Sequence, residues 1–345
     1  MVIACPFCGE TLGVKLKPTA GLQVCGCKKC YNPVEVSWQG AAPVAKTLEK
    51  TADVRLTAPE GSIGAAVLEV LPKAIEHLPV LPEVSQRVLK MVSDPDVAMA
   101  DLAGVIRDDQ TIAMSIMKLA NSAVYGGLDE IKELNTACAR LGMRNIANTV
   151  QMVANNNLYV TGDARLKNFM RKLWRHSVAT AHCASEIAIL IAEPRSEMLF
   201  LAGLVQNVGK VVLLDIITGQ YSGAIGKLRV TPEVLKEVIE NFQALLGMHV
   251  VQQWNMPPEF VAATYFQTHP GDCPREDWLS IVHIVSLASL IATVEGYGLY
   301  EVEDKYLSTN NSARYLSMND IKLASLRVDL QDKLQALFDS VPQAD

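Results

Sequence analysis

Four cysteines near the start of the chain have the type and spacing of a metal site. Cys5 and Cys8 are separated by two residues, as are Cys27 and Cys30, and 18 residues lie between the two pairs. Two such turns can place four thiolates around one zinc ion, as in a zinc ribbon. Because the protein fills all four positions, the ion would fold the segment and would not activate water. The spacing therefore predicts a structural Zn²⁺ site in a zinc-ribbon-like module over residues 1–37.

The second pair of ligands has an alternative, because Cys25 is a fifth thiol close by. Cys25 could replace Cys27, but a single intervening residue gives the wrong reach for this kind of turn, and we favour Cys27 with Cys30. Lysines make the module locally basic without interleaved aromatic residues, so we favour a solvated docking surface over a nucleic-acid site.

Composition narrows the class of protein. The chain has 345 residues, half of them apolar, which is enough for two or three domains with a buried core. Its net charge of −6 argues against a protein whose main partner is nucleic acid. Five of eight cysteines fall in the first 30 residues, which favours metal over disulfides, and no basic leader with an apolar run follows Met1. We expect a cytoplasmic location.

The most apolar stretch of the sequence, residues 281–294, contains His283, Ser286 and Ser289. It is shorter than the roughly 18 to 20 residues that span a bilayer. We therefore expect no transmembrane helix and no membrane partner.

The body of the chain has the periodicity of helices. Residues 38–64 are rich in Ala, Pro, Thr, Lys and Glu without a sustained period, as in a linker. Beyond them apolar residues recur at helical spacing, separated by prolines, capping aspartates and Gly126-Gly127. Such groups include Val67, Leu68, Leu71 and Ile75, then Val84, Val88, Leu89 and Val92, then Leu102, Val105 and Ile106. We predict an all-α body.

Several motifs occur in one order along this body. They are the segments Leu78-Pro79-Val80-Leu81-Pro82-Glu83-Val84, Leu119-Ala120-Asn121-Ser122-Ala123-Val124-Tyr125-Gly126, Leu173-Trp174-Arg175-His176-Ser177 and Trp254-Asn255-Met256-Pro257. The sequence closely resembles the HDOD family, the HD-related output domain of bacterial signalling proteins. The resemblance implies a two-part helical domain over 65–298, with an N-terminal bundle at 65–160 and a degenerate HD-like part at 161–298. It also implies a non-catalytic role in signal transduction.

Residues 203–210 resemble the metal-binding helix of HD-type phosphohydrolases, with both ligands replaced. Gln206 stands where that pattern has His, and Asn207 stands where it has Asp. His176 matches the first ligand of these enzymes, and Ser286 lies where the last Asp is expected. A lone imidazole among neutral side chains cannot hold a catalytic divalent ion at ordinary concentrations. These four residues are thus predicted to form a vestigial cleft, and no catalytic residue is expected.

Other histidines could in principle replace the lost ligands. The candidates are His182, His269 and His283. His182 lies six residues after His176, so the two rings would face different sides of a straight helix. We favour a buried His176 that is hydrogen-bonded to a neighbour such as Asn207.

Two further segments have both a structural and a binding interpretation. In residues 121–126, Asn121 and Ser122 would satisfy backbone groups at a helix end, and a role in partner binding is the alternative. Residues 299–345 contain a loop and then an amphipathic helix, which either packs on the bundle or binds another chain. We favour packing for the helix, whose apolar positions are Ile321, Leu323, Leu326, Leu330, Leu334 and Leu337.

The functional hypothesis is a bacterial regulatory scaffold that acts through protein contacts in a signalling pathway. One alternative is a receptor that binds a nucleotide in the vestigial cleft without hydrolysing it. A second alternative is a residual metal-dependent phosphohydrolase, which the lost ligands oppose.

Overall fold

The computed structural model describes most of the chain after residue 82 and short parts before it. The described residues are 2–5, 11–13, 23–26, 33–39, 42–47, 67, 70, 74, 83–92, 99–107, 109–127, 129–164, 166–217, 232–300, 302 and 307–341.

Five short strands lie within the first 47 residues. They are β1 (Val2–Ala4), β2 (Thr11–Gly13), β3 (Gln23–Gly26), β4 (Pro33–Gln39) and β5 (Ala42–Thr47). β1 pairs antiparallel with β2, and β3, β4 and β5 form an antiparallel sheet in that order. Val34 and Val36 alternate along β4 and are fully buried, as expected for one covered face. The β4–β5 hairpin extends into the range 38–64, where the sequence predicts a linker.

From Glu83 onward the regular elements of the described residues are all helical, which confirms the prediction of an all-α body. The α-helices are α1 (Glu83–Val92), α2 (Met99–Arg107), α3 (Gln110–Ala120), α4 (Leu134–Asn156), α5 (Lys167–Leu190), α6 (Ser196–Val205), α7 (Val208–Ile217), α8 (Pro232–Gln253), α9 (Pro258–Phe266), α10 (Glu276–Ala292), α11 (Asn311–Tyr315) and α12 (Asp320–Ser340). Short 3₁₀ turns at Asn157–Tyr159 and Pro270–Asp272 and a π turn at Thr293–Tyr297 lie between them.

The chain divides into two compact units. The first consists of residues 1–79 and 205–282, and the second of residues 80–204 and 283–345. Within the first unit, β3 packs against α8 and α9, so the N-terminal segment belongs to the same compact unit as these helices.

Two glycines allow α8 of the first unit to pack closely against α7 and α9. A Cβ atom at Gly209 would lie 2.0 Å from the Gln243 carbonyl oxygen and 2.5 Å from the Gly247 nitrogen. A Cβ atom at Gly247 would lie 2.7 Å from a methyl carbon of Thr264. The backbones therefore touch where a side chain would otherwise stand, which explains why glycine occupies position 209.

In the second unit, α12 packs on α5 and α3 along an apolar stripe. The stripe consists of the buried residues Leu323, Leu326, Leu330, Leu334, Leu337 and Phe338. Trp174 meets Phe338 edge to face at 5.7 Å, Lys333 donates to Glu186 at 2.9 Å, and Arg327 pairs with the buried Glu295. Ile321, which the sequence groups with the stripe, is 80% exposed because it lies on the opposite face.

A backbone break divides α4. Gly142 has φ +76° and ψ 160°, outside the helical region, and most other residue types resist that conformation. The helix restarts after this break. Arg144, Asn145 and Asn148 then lie in its first turns at spacings of three and four residues, which places them on one face.

Two helical stretches are long and apolar enough to cross a membrane by length and composition, whereas no transmembrane helix is expected from the sequence. They are Met198–Ile217 and Glu276–Tyr297. In the first stretch 89% of the most apolar segment is buried inside the protein, and in the second stretch 50% is buried. Because buried core helices have the same composition, this test alone does not indicate a membrane span.

Candidate functional site

Of the predicted zinc ligands, only Cys5 and the alternative Cys25 lie within the described residues. Cys5 follows β1 and is buried, and Cys25 lies in β3 with its backbone opposite Val34. Cys8, Cys27 and Cys30 lie outside the described residues. Among the residues that are described, no three His, Cys, Asp or Glu side chains group as metal ligands. The zinc site stays a prediction from spacing.

His176 lies on α5 in the second unit, and its Nε2 atom faces two oxygen atoms. The Ser289 carbonyl oxygen lies at 3.2 Å, and the Thr293 hydroxyl lies at 3.1 Å. A carbonyl only accepts hydrogen bonds, and the Thr293 hydroxyl already donates to that same carbonyl at 2.8 Å. We therefore assign the proton to Nε2, which donates to both oxygens. With the proton on Nε2, the lone pair of the ring lies on Nδ1, so these hydrogen bonds set the tautomer and the orientation of the imidazole.

Gln206 and Asn207 form the turn between α6 and α7 in the first unit. Both are buried, with 3% and 0% of their surfaces exposed. The Gln206 carbonyl accepts a hydrogen bond from the Gln267 side chain at 2.9 Å. The Asn207 carbonyl accepts hydrogen bonds from the backbone N–H groups of Lys210 and Val211 in the first turn of α7. Their backbone atoms hold the helix junction that would carry the metal ligands in an HD-type enzyme.

Near the same junction, Lys210 has no carboxylate within ion-pair distance among the described residues. Burial lowers the pKa of Lys210 to about 8 and raises that of Asp215 to about 6, since burial disfavours the charged form of each.

Ser286 lies on α10 in the second unit, one turn before Ser289. It is half-buried, and its hydroxyl carries none of the charge of the aspartate expected there in an enzyme. His176 and Ser286 thus belong to one unit, whereas Gln206 and Asn207 belong to the other.

The three histidines that could replace lost ligands have separate neighbours. His182 meets Phe200 edge to face at 4.9 Å. His283 stacks on Tyr315 at 4.1 Å, with its Nδ1 atom 2.9 Å from the Ser312 hydroxyl. His269 is exposed beside Thr268. Within the described part of the chain they build no common site.

The segment after α3 is held by its own polar side chains. Asn121 donates to the carbonyls of Met117 and Ile131 and accepts from the Ile131 N–H at 2.8 Å. Ser122 donates to the Leu119 carbonyl at 2.7 Å. These bonds match the structural interpretation of residues 121–126. They also fix the loop that carries Tyr125.

Tyr125 lines a polar cavity of the second unit that is not among the sites predicted from the sequence. The cavity has a volume of about 240 Å³. Arg144, Asn145 and Asn148 of α4 line one side, and His182 and Ser185 of α5 line another. The ion pair between Glu186 and Lys333 completes its wall. The sequence signal for it is polar residues at spacings of three and four on two largely apolar helices.

Burial controls the charge state of this cavity. It lowers the pKa of His182 to about 3, and the positive charges of Lys333 and Arg144 act in the same direction. Burial likewise raises the pKa of the Tyr125 phenol. At neutral pH both rings are therefore uncharged.

A family model of the HDOD domain matches residues 78–270. The chain belongs to the HDOD family. A curated relative, an uncharacterized protein of Treponema pallidum (strain Nichols), is 26% identical over 243 residues. That alignment covers 66% of this chain but only 44% of the relative, so the chain spans less than half of that protein's length.

Solved structures of similar fold include an HDOD domain protein. An HDOD domain protein of unknown function from Geobacter sulfurreducens has a TM-score of 0.63 at 22% identity and aligns over 79% of this chain and 99% of its own. A candidate metal-dependent phosphohydrolase from Shewanella amazonensis SB2B has a TM-score of 0.59 at 23% identity, over 81% and 98%. At these identities the likeness extends to the HDOD fold alone.

Proposed function

We propose that this HDOD protein is a non-catalytic regulatory module of a bacterial signalling pathway, located in the cytoplasm, which acts by binding other proteins. Its N-terminal cysteine module would bind one structural zinc ion through Cys5, Cys8, Cys27 and Cys30. The observation that carries the proposal is the loss of three of four metal-binding side chains, at Gln206, Asn207 and Ser286. His176 is the one matching ligand that remains, and a lone imidazole among neutral side chains cannot hold a catalytic divalent ion at ordinary concentrations.

Hydrolysis assays test the non-catalytic part. The full chain is incubated with Mn²⁺, Fe²⁺ or Mg²⁺ and with phosphodiester and nucleotide substrates, beside a His176→Ala variant. We expect the same background rate for both proteins, because neither holds a catalytic ion. Metal-dependent hydrolysis that the variant loses would establish the phosphohydrolase alternative. The Shewanella protein of similar fold is described as a candidate for that activity.

Elemental analysis tests the zinc module. We expect about one zinc per chain, lost in a Cys27→Ser, Cys30→Ser variant and retained in Cys273→Ser, whose thiol lies far along the chain. Iron or manganese that survives in the double variant would point to an ion held elsewhere and would reopen the enzyme hypothesis.

A candidate surface for binding a protein partner lies beside residues 121–126. A groove of about 860 Å³ lies there, with the apolar residues Ala123, Val124 and Ala336 in its wall beside polar residues that include Asp329, Asp332 and Asp339 of α12. Val124 is 38% exposed although apolar. After crosslinking in the source bacterium, we expect a Val124→Arg chain to lose a partner that the unaltered chain retains. Ile321→Arg, on the exposed face of α12, is the matched control. Identical partners for all three chains would contradict this surface.

Nucleotide binding by the vestigial residues is the alternative function. The amides of Gln206 and Asn207 could hydrogen-bond a nucleotide without hydrolysing it. Thermal stabilisation by nucleotides that a Gln206→Leu variant loses would favour this alternative over the scaffold.

A further inference from the structure

The polar cavity of the second unit has the features of a binding site, and none of its residues belongs to the vestigial HD set. Two helices each supply a polar face to it. Asn148 lies four and three residues after Arg144 and Asn145 on α4, and Ser185 and Glu186 lie three and four residues after His182 on α5. Gly142 ends the first segment of α4 just before Arg144, and Asn121 fixes the loop that carries Tyr125. The wall is therefore built from elements that are held in place without a ligand.

The charges in the cavity are not balanced. Lys333 and Glu186 form an ion pair at 2.9 Å and neutralise each other. Arg144 is half-buried and makes no hydrogen bond or ion pair with the residues that the structure describes. A guanidinium has five N–H donors in a planar fork that matches an oxyanion. The cavity thus has one positive charge in excess and donors directed at no protein acceptor.

Two buried side chains in the same cavity also lack partners. His182 Nε2 and Asn148 Oδ1 have no hydrogen-bond partner among the described residues, although the two residues are only 7% and 4% exposed. Buried polar atoms are nearly always hydrogen-bonded, because leaving one unpaired costs about 1–3 kcal/mol. Because both residues line the cavity, a ligand held there could complete their hydrogen bonds.

We propose that this cavity binds a small phosphate monoester, with the phosphate group at Arg144. Arg144 would hold two phosphate oxygens, and the Ser185 hydroxyl and the Lys333 ammonium supply further donors around it. The Tyr125 hydroxyl donates to Asn145 Oδ1 at 3.4 Å and would turn from that long bond to the phosphate. His182 Nε2 would donate to the ester oxygen, and Asn148 Oδ1 would accept from a hydroxyl of the organic part.

The number of hydrogen-bond donors around the cavity and the volume of the cavity favour this class of ligand. A carboxylate has two oxygens and would leave several of the donors unused, whereas a phosphate monoester has three terminal oxygens that accept hydrogen bonds. A volume of about 240 Å³ is below the roughly 300–1,000 Å³ of sites for drug-sized ligands. It suits a phosphate with a short organic part.

Calorimetric titration of the full chain with glycerol 3-phosphate, inorganic phosphate and acetate tests this site at constant ionic strength. We expect saturable binding of both phosphates and none of acetate. Arg144→Gln should raise the dissociation constant about tenfold or more, since a hydrogen-bonded ion pair is lost. The control is Arg171→Gln, which removes an equal charge from the exposed face of α5 and should bind phosphate unchanged.

A second variant distinguishes the loss of a phosphate contact from misfolding of the chain. Tyr125→Phe removes one hydroxyl and should weaken phosphate binding by less than Arg144→Gln. The circular dichroism spectra of both variants should match that of the unaltered chain. No saturable phosphate binding, acetate binding as tight as phosphate, or phosphate binding that survives Arg144→Gln would each overturn the proposal. None of these results depends on whether the protein is catalytic.

Discussion

His182 is a buried imidazole that is more stable neutral than charged. It packs on Phe200 of α6, and the cations Arg144 of α4 and Lys333 of α12 lie near it, with the Lys333 partner Glu186 one turn along α5. Burial is the main cause of its low pKa, and the two cations add to it. Protonation would therefore place a third positive charge beside two existing ones.

This arrangement predicts a loss of stability in mild acid. The pKa of His182 is about 3 in the folded chain and 6.5 without burial. Between those values the unfolded chain binds more protons, so stability rises with pH and is lost as pH falls from 6.5. At pH 5 the unfavourable protonation of His182 lowers the free energy of unfolding by about 2 kcal/mol.

Urea denaturation at pH 7 and pH 5 measures this effect. The stability advantage of the unaltered chain over His182→Gln should shrink by about 2 kcal/mol at the lower pH. The same comparison with His269→Gln, an exposed position, should show no such change. An advantage that stays constant for His182 would mean that its imidazole titrates normally.

Gly209 is restricted by the close approach of two helices. We expect Gly209→Ala to destabilise the chain by about 3 kcal/mol or more, since its Cβ would overlap the α8 backbone. Gly104→Ala, in α2 with no atom within 4 Å of its Cβ, should instead stabilise by about 0.5–1 kcal/mol. Equal effects of the two variants in thermal denaturation would contradict the close packing.

At the scale of elements, α12 is held by an apolar stripe and by polar contacts beside it. Leu330 is fully buried in the stripe, whereas Val328 is 64% exposed on the same helix. Gln331 and Arg327 both contact Glu295, which fixes the rotation of the helix about its axis. The sequence period predicts an amphipathic helix here. The exposed Ile321 shows that an apolar residue within the helix need not belong to its buried face.

Two truncations on α12 test this docking. Leu330→Ala should cost about 2–5 kcal/mol of unfolding free energy, because it leaves a cavity in a packed interface. Val328→Ala should change the stability by less than about 0.5 kcal/mol. Chemical denaturation of both variants measures the difference. A small effect at Leu330 would mean that α12 contributes little to the stability of the second unit.

At the scale of the whole molecule, the N-terminal strands share a compact unit with helices from the middle of the chain. β3 packs against α8 and α9, which are separated from it by about two hundred residues of sequence. A zinc-stapled segment attached in this way would contribute to the stability of those helices as well as to its own fold.

Hydrogen exchange tests this coupling. If the cysteine module binds zinc, the Cys27→Ser, Cys30→Ser variant should exchange amide hydrogens faster in α8 and α9, by about tenfold or more. Exchange in α12, which belongs to the second unit, serves as the internal control and should stay the same. Unchanged protection of α8 and α9 would indicate that the module acts as an independent tethered domain.

The sequence by itself determined the helical body, the HDOD membership and the replacement of the metal-binding side chains at 206, 207 and 286. These features are readable because apolar period, motif order and residue type are local properties of a chain. Only the tertiary structure decided that His176 Nε2 donates to Ser289 and Thr293, that Gly209 lies against α8, and that Arg144, His182 and Lys333 line one cavity. The reason is physical, since each of these depends on atoms brought together from distant segments, and no local pattern specifies such an approach.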